Sequence, residues 1–529
     1  MTELAPNSLR RRWAAVVVLL AALVIAGLAV GLSGGAAGVP PSASGTTAVI
    51  PADALAYVRL SLQRDSPAVR QSLAVAERLP NFGLAGTEVL GRLGEVLAGG
   101  RAVDLAGQVS PWAGSAAALA LLNSPTSTAG SVVVVEVAHR RRAEAFVRGE
   151  GATGAGSYRG VALKRYANGS VLGFVGSDLV VGQPASVRRA IDVAAGSRPS
   201  LATAPAYRRA ASGAPAGSVL SAYASAEGVR RVLAGQSGAL GALGGLLSAP
   251  ALQGTFLSVV PAAQGFRVQI HSAVGTTAGN TGFAPSLPGV IPANAALMLD
   301  VNGLSREMPQ MLAAGSAAGV SSGLGSLLQR LGTALAGAGV NVRQIVSLFS
   351  GESAVAILGS GSAATLVVVT RAQAARAQAV FRQFQRAMAR LVPTAGRRSR
   401  ARSVYGTHRV AGIDVHEFQL TPTLQLDYGL VRGLLVVATN PRGIAELARP
   451  ARSLAATPGF KAAFSGRPAQ VTSLVYADLG QVLRSPALAA AGGTIYSRLL
   501  PDLEHLGGAG LTSARTAGGT TTELTIQIR

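Results

Sequence analysis

The feature that most constrains this chain is a strand-to-helix stretch that occurs twice. The first copy runs Ser131-Val-Val-Val-Val-Glu-Val-Ala-His-Arg-Arg-Arg-Ala-Glu-Ala-Phe146. The second runs Ala364-Thr-Leu-Val-Val-Val-Thr-Arg-Ala-Gln-Ala-Ala-Arg-Ala-Gln-Ala-Val-Phe381. Each opens on β-branched residues, whose stiff side chains suit a buried strand. Each then turns to Ala, Arg, Gln and Glu, which favour a helix, and reaches an apolar anchor at Phe146 or Phe381. A strand feeding directly into a helix, twice in one chain, predicts a duplicated unit.

Other landmarks recur in the same order. Val49-Ile-Pro51-Ala-Asp-Ala-Leu-Ala is repeated as Val290-Ile-Pro292-Ala-Asn-Ala-Ala-Leu, with Pro292 lying 241 residues after Pro51. Trp112-Ala-Gly114-Ser-Ala-Ala matches Ser350-Gly351-Glu-Ser-Ala-Val, and Tyr158-Arg-Gly160-Val161 matches Val410-Ala-Gly412-Ile413. Leu179-Val-Val matches Leu435-Val-Val, and Leu201-Ala-Thr-Ala-Pro205-Ala-Tyr207 matches Leu454-Ala-Ala-Thr-Pro458-Gly-Phe460. Val219–Tyr223 matches Ser473–Tyr476. Adjacent strands and hairpins dominate each unit. The expected fold class is therefore α+β: two tandem units, each a mainly antiparallel sheet with helices packed on one face.

Taken together, the Pro-Ala-Asp-Ala-Leu-Ala-Tyr57 opening, the Trp-x-Gly strand, the block ending in Ala-Phe146 and the Leu-Ala-x-x-Pro-x-Tyr motif carry a family resemblance. They resemble the bacterial family called domain of unknown function 3352, over most of residues 48–485. The resemblance implies a short N-terminal tail, one membrane span and a large ectodomain. It brings no activity and no catalytic residues. Family members often carry an acid where the second strand meets its helix, and this chain has His139 and Arg371 there.

The N-terminus agrees. Residues 1–12 end in Arg10-Arg11-Arg12, and residues 13–32 are apolar and uncharged. Twenty helical residues span about 30 Å, one hydrocarbon core. Arginines before the span and no charge after it until Asp53 place the N-terminus in the cytoplasm and the bulk outside. The apolar run exceeds the usual length of a signal-peptide core, which favours an uncleaved anchor over a cleaved leader. Gly27 and Gly31 share the spacing of a helix-dimer face, although so much Ala and Gly produces that spacing by chance. The expected layout is a cytoplasmic tail 1–12, a transmembrane helix 13–32, a linker 33–47, ectodomain repeat 48–274, a linker 275–288 and repeat 289–529.

Composition sets further bounds. The chain has 529 residues and no cysteine, which excludes disulfides, thiolate catalysis, Cys-ligated zinc and a lipidated cysteine. Its formal net charge is +23, and Lys164 and Lys461 are the only lysines among 47 basic residues. Two readings of this charge stand. One is arginine-rich drift in a GC-rich genome, which the dispersal of most arginines favours. The other is attraction to anionic envelope polymers or lipids, for which Arg397, Arg398, Arg400 and Arg402 form the tightest cluster.

Catalytic motifs are scarce. Gly149-Glu-Gly151-Ala-Thr-Gly154 follows a helix, whereas a dinucleotide loop follows a strand. Gly31-Leu-Ser33-Gly-Gly35 sits at the membrane exit, with no strand-turn-helix to strain its serine. His408, Asp414, His416 and Glu417 form the one compact set of metal-ligand types. Asp414 and His416 share a strand face at i, i+2 spacing, but a solvated strand face is the default for such a set. The first repeat has Ala162 and Lys164 at the matching places, so the fold does not require a metal there. The glycine-spaced stretches Leu240–Leu247 and Leu324–Leu335 suit close helix packing or a pliable apolar groove.

These residues point to a non-enzymatic binding or scaffolding module of the bacterial envelope. The alternative is a carrier or shield for a hydrophobic ligand, and an envelope hydrolase comes third. No cofactor and no nucleic-acid partner is expected. The cytoplasmic membrane is the expected partner through residues 13–32, with anionic polymers or lipids a second candidate.

Overall fold

The computed structural model describes residues 45–63, 66–80, 94–101, 103–123, 130–233, 252–274, 282–305, 347–360, 364–371, 375–382, 405–421, 424–483, 500–516 and 518–529. The expected membrane span, the two glycine-spaced stretches and the Arg397–Arg402 cluster lie outside them. No helix among the described residues is long and apolar enough to cross a membrane.

Strands form where Val, Ala, Leu and Thr runs are bounded by Gly or Pro. The first half contributes β1 (Ala54–Ser61), β2 (Ala113–Leu122), β3 (Gly130–Val137), β4 (Thr153–Tyr158), β5 (Val161–Arg165), β6 (Val171–Val175), β7 (Asp178–Gly182), β8 (Leu220–Ser225), β9 (Leu252–Ala262) and β10 (Gly265–Val274). The second contributes β11 (Ala295–Asn302), β12 (Glu352–Leu358), β13 (Thr365–Thr370), β14 (Tyr405–Val410), β15 (Ile413–Thr421), β16 (Leu424–Val431), β17 (Leu434–Ala438), β18 (Ser473–Asp478), β19 (Leu506–Thr516) and β20 (Gly519–Ile528). All twenty belong to one antiparallel sheet, so the molecule is mixed α+β.

Pairing follows one path in each half. In the first it is β4-β5-β6-β7-β3-β2-β1-β8-β9-β10. In the second it is β14-β15-β16-β17-β13-β12-β11-β18-β19-β20. Small details recur as well. Pro51 bridges Ser200, and Pro292 bridges Ser453. Leu201 N donates to Ile50 O at 2.7 Å, and Leu454 N donates to Ile291 O at 2.7 Å. The two paths meet where β10 pairs antiparallel with β20, Gly265 opposite Gln527 and Ala273 opposite Gly519.

Helices begin where the sequence supplies a proline whose missing N–H is not needed. Pro67, Pro184, Pro205, Pro441 and Pro458 each occupy a first turn. Ser66 caps Pro67–Ala76 by accepting from Val69 N at 3.3 Å.

One expectation is corrected: helices cover both faces of the sheet. Along β3, Val132 and Val134 pack with the helix Pro184–Ala194, while Val133 and Val135 pack with the helix Arg140–Gly149. All four valines are buried. A β-branched run without alternation has no polar side to give to water, so both faces must be covered. In the second half, the helices Pro441–Ala448 and Pro458–Ala463 join one core, and helical residues 375–382 join the other.

Phe146 and Phe381 are half-buried rather than largely buried. Phe146 lies against Trp112 with ring centroids 5.4 Å apart, and Phe381 stacks on Tyr428 at 4.3 Å. The 3-10 turn Gly45–Ala48 packs into the first half, with Thr46 and Thr47 buried.

Candidate functional site

The three strands β14, β15 and β16 form a meander whose two faces do different things. Ala411-Gly412 turns β14 into β15 with φ values of 52° and 87°, the left-handed pair that a two-residue hairpin loop requires. That turn fixes the register. His416 lies between Thr407 and Tyr428, and Glu417 lies between Gly406 and Asp427. Successive residues of a strand point to opposite faces. Asp414 and His416 therefore share one face with Tyr428, and His408 and Glu417 share the other with Asp427. The four residues grouped in the sequence do not form one site.

The first face is the floor of an open groove of about 530 Å³. Helical residues 375–382 wall it with Gln378, Phe381 and Arg382, while Asp414, His416 and Tyr428 rise from the strands. The Phe381 ring is 4.3 Å from Tyr428 with 19° between planes, and the His416 ring is 5.0 Å from Tyr428 with 28° between planes. The groove thus presents three stacked rings beside an arginine and a carboxylate. His416 Nδ1 is 3.1 Å from Thr407 Oγ1. Burial lowers the His416 pKa, against a smaller upward pull from Asp414. The imidazole in this floor is therefore biased toward its neutral, stacking form.

On the opposite face His408, Glu417 and Asp427 bring one ligand-type atom each to within 4.8 Å of one another. His408 Nδ1 is 3.7 Å from Glu417 Oε2. Asp427 is fully buried, and Gln425 Nε2 donates to both of its carboxylate oxygens at 3.0 Å. Burial raises the Asp427 pKa; Gln425 opposes that, and the nearby Glu417 adds to it. Asp427 escaped the sequence reading because it lies on a separate strand, ten residues from Glu417. The detectable signal was a carboxylate in the middle of Leu-Gln-Leu-Asp-Tyr-Gly-Leu, a strand otherwise fit for burial.

Register identifies the first-half counterparts. Val171 pairs with Gly182, which pairs with Val132; Asp427 pairs with Ala438, which pairs with Val367. Asp427 thus stands where the first half has the core residue Val171, and Tyr428 where it has buried Leu172. Lys164 and Arg165 oppose Leu172 and Val171, in the places of His416 and Glu417. Among the described residues, the first half has neither the Tyr428–His416 pair nor the carboxylate-histidine group at these places.

Two further acids are placed by the fold. Glu352 Oε1 accepts from Ser286 N at 2.5 Å and Leu287 N at 2.9 Å, and its other oxygen meets Arg371 Nε at 3.2 Å. By register Arg371 corresponds to Glu136 rather than His139, since Val369 and Val134 face the equivalent Ala354 and Ala118. Glu136 accepts from Ser115 N at 3.1 Å. The strand end after the repeated valines therefore holds an acid in one half and an arginine paired to an acid in the other. Arg397, Arg398, Arg400 and Arg402 lie outside the described residues.

Comparison with known proteins gives a family and little else. Residues 13–528 match the family described as protein of unknown function (DUF3352). No curated protein matches. Two solved structures of TP0453 are distantly similar. Crystal form I is 11% identical, covers 45% of this chain and 82% of that one, and has a TM-score of 0.26. Crystal form III is 9% identical, covers 44% and 81%, and has a TM-score of 0.25.

Proposed function

The chain belongs to the family of proteins of unknown function DUF3352, and from that premise we propose that it is a membrane-anchored, extracytoplasmic binding protein. Its ectodomain is two copies of one α+β unit, and the second copy holds the ligand. The observation that carries this reading is the groove over β15 and β16. Phe381 and His416, both half-buried and stacked on the buried Tyr428, line it, and Arg382 stands at the same wall. Such a lining suits a small molecule with a flat apolar body and a polar, preferably anionic, head. It offers surfaces to bind against rather than a nucleophile aligned with a base, which favours a non-enzymatic role.

Residues 13–32 would hold the ectodomain at the outer side of the cytoplasmic membrane, oriented by Arg10, Arg11 and Arg12. The basic excess would draw the ectodomain toward anionic envelope polymers or lipid head groups, and salt would weaken that attraction.

A photoreactive phenylalanine analogue at position 381 tests the binding reading in living cells. The expected product is this chain carrying a single low-mass adduct, absent when the analogue replaces Phe146 instead. A protein-sized adduct at position 381 would mean a scaffold that holds a partner chain. No adduct at position 381 would count against occupancy of the groove.

A further inference from the structure

The group on the opposite face of the hairpin is chemically distinct from the groove. His408, Glu417 and Asp427 come from three adjacent strands, and their ligand-type atoms lie within 4.8 Å of one another. We propose that these three side chains form a site for one divalent transition metal ion, zinc in preference to calcium or magnesium.

Ligand chemistry selects the ion. One imidazole with two carboxylates is a borderline set suited to zinc, whereas calcium takes six to eight oxygens and magnesium a near-octahedral oxygen shell. A tetrahedral ion with ligands about 2.1 Å away holds them about 3.4 Å apart. The separation between His408 Nδ1 and Glu417 Oε2, 3.7 Å, is already close to that. His408 and Glu417 are each about one-third exposed and can make the remaining movement, while Asp427 is fixed and fully buried. Water would fill the fourth position.

Placement argues the same way. A buried carboxylate is costly unless something compensates its charge. Gln425 supplies only a neutral donor to its two oxygens. The first half has Val171 at the place of Asp427, so the sheet has no structural need of an acid there. Gln425 also does what metal ligands require of their surroundings. Its amide holds the Asp427 carboxylate in one orientation and leaves each oxygen a lone pair for an ion. The site stands apart from the groove, so either can fail without the other.

The test is equilibrium dialysis of the full-length chain in detergent micelles against micromolar zinc, with calcium and magnesium at millimolar concentration as competitors. The expected result is one zinc per chain, retained against both competitors. His408→Ala and Glu417→Gln, at half-exposed positions the fold tolerates, should each weaken uptake at least tenfold. Asp427→Val, which installs the residue of the first half, should abolish uptake while the zinc-free protein melts no lower than wild type. Uptake unchanged in His408→Ala would place the ion elsewhere and overturn the proposal. No uptake by the wild type would leave a histidine–glutamate contact beside a buried acid and overturn it equally.

Discussion

Asp300 lies mid-strand in β11 with no exposed surface, its carboxyl group set beside Glu352. Burial, with Glu352 nearby, pushes its pKa up to about 8, while Arg467 and Arg371 pull the other way. The folded chain thus holds a proton that an unfolded aspartate releases near pH 4. Below pH 4 both states are protonated and Asp300 contributes no pH dependence. From about pH 4 to pH 8 the unfolded state ionises and the folded state does not, so stability falls with rising pH. Asp300→Asn should flatten that slope. It should raise the melting temperature at pH 8, by the equivalent of a few kcal/mol, and change it little at pH 4. A pH scan of melting temperature for both proteins checks this, and parallel curves would place the burden elsewhere. The same scale shows what a sequence hides. His408 and Glu417 were legible as ligand types, but Asp427 joined them only when register placed it opposite Glu417. Asp414 and His416 were correctly put on one face, and the structure gives that face to the groove.

Among the elements, the joint between β10 and β20 tolerates no side chain at its ends. Gly265 and Gly519 sit at φ 148° and 154°, and a Cβ added to either would lie about 2 Å from a carbonyl oxygen of the partner strand. Gly265→Ala and Gly519→Ala should each cost about 2–3 kcal/mol, the range of a strained backbone site. The loss should show as faster amide exchange along β10 and β20, with β3 and β13 unaffected. Phe381→Ala should cost about 2 kcal/mol, less than the roughly 3–5 kcal/mol of a fully buried phenylalanine, because Phe381 is half-exposed. Chemical denaturation reads that value directly. The strand-to-helix switch and its repeat were visible because period and composition change together at each junction. Coverage of both faces was readable too, in four consecutive valines that cannot alternate. The pairing of β10 with β20 was not, since nothing local to either strand names a partner more than two hundred residues away.

At the scale of the molecule, two matching strand paths meet edge to edge, Gly265 facing Gln527 as Gly519 faces Ala273. That arrangement buries one exposed edge of each half and removes two sites of unwanted strand pairing. It also leaves the halves free to differ at their far edges, and there the second half carries Tyr428, His416 and Asp427 in place of Leu172, Lys164 and Val171. The second copy is thus the one proposed to hold the ligand. The most direct measurement is mass spectrometry of the small molecules that co-purify with the full-length chain, wild type beside Tyr428→Leu and Leu172→Tyr. A stoichiometric molecule is expected with the wild type and with Leu172→Tyr, lost when Tyr428 becomes the leucine of the first half. The same molecule retained in full by Tyr428→Leu, or lost only with Leu172→Tyr, would contradict it.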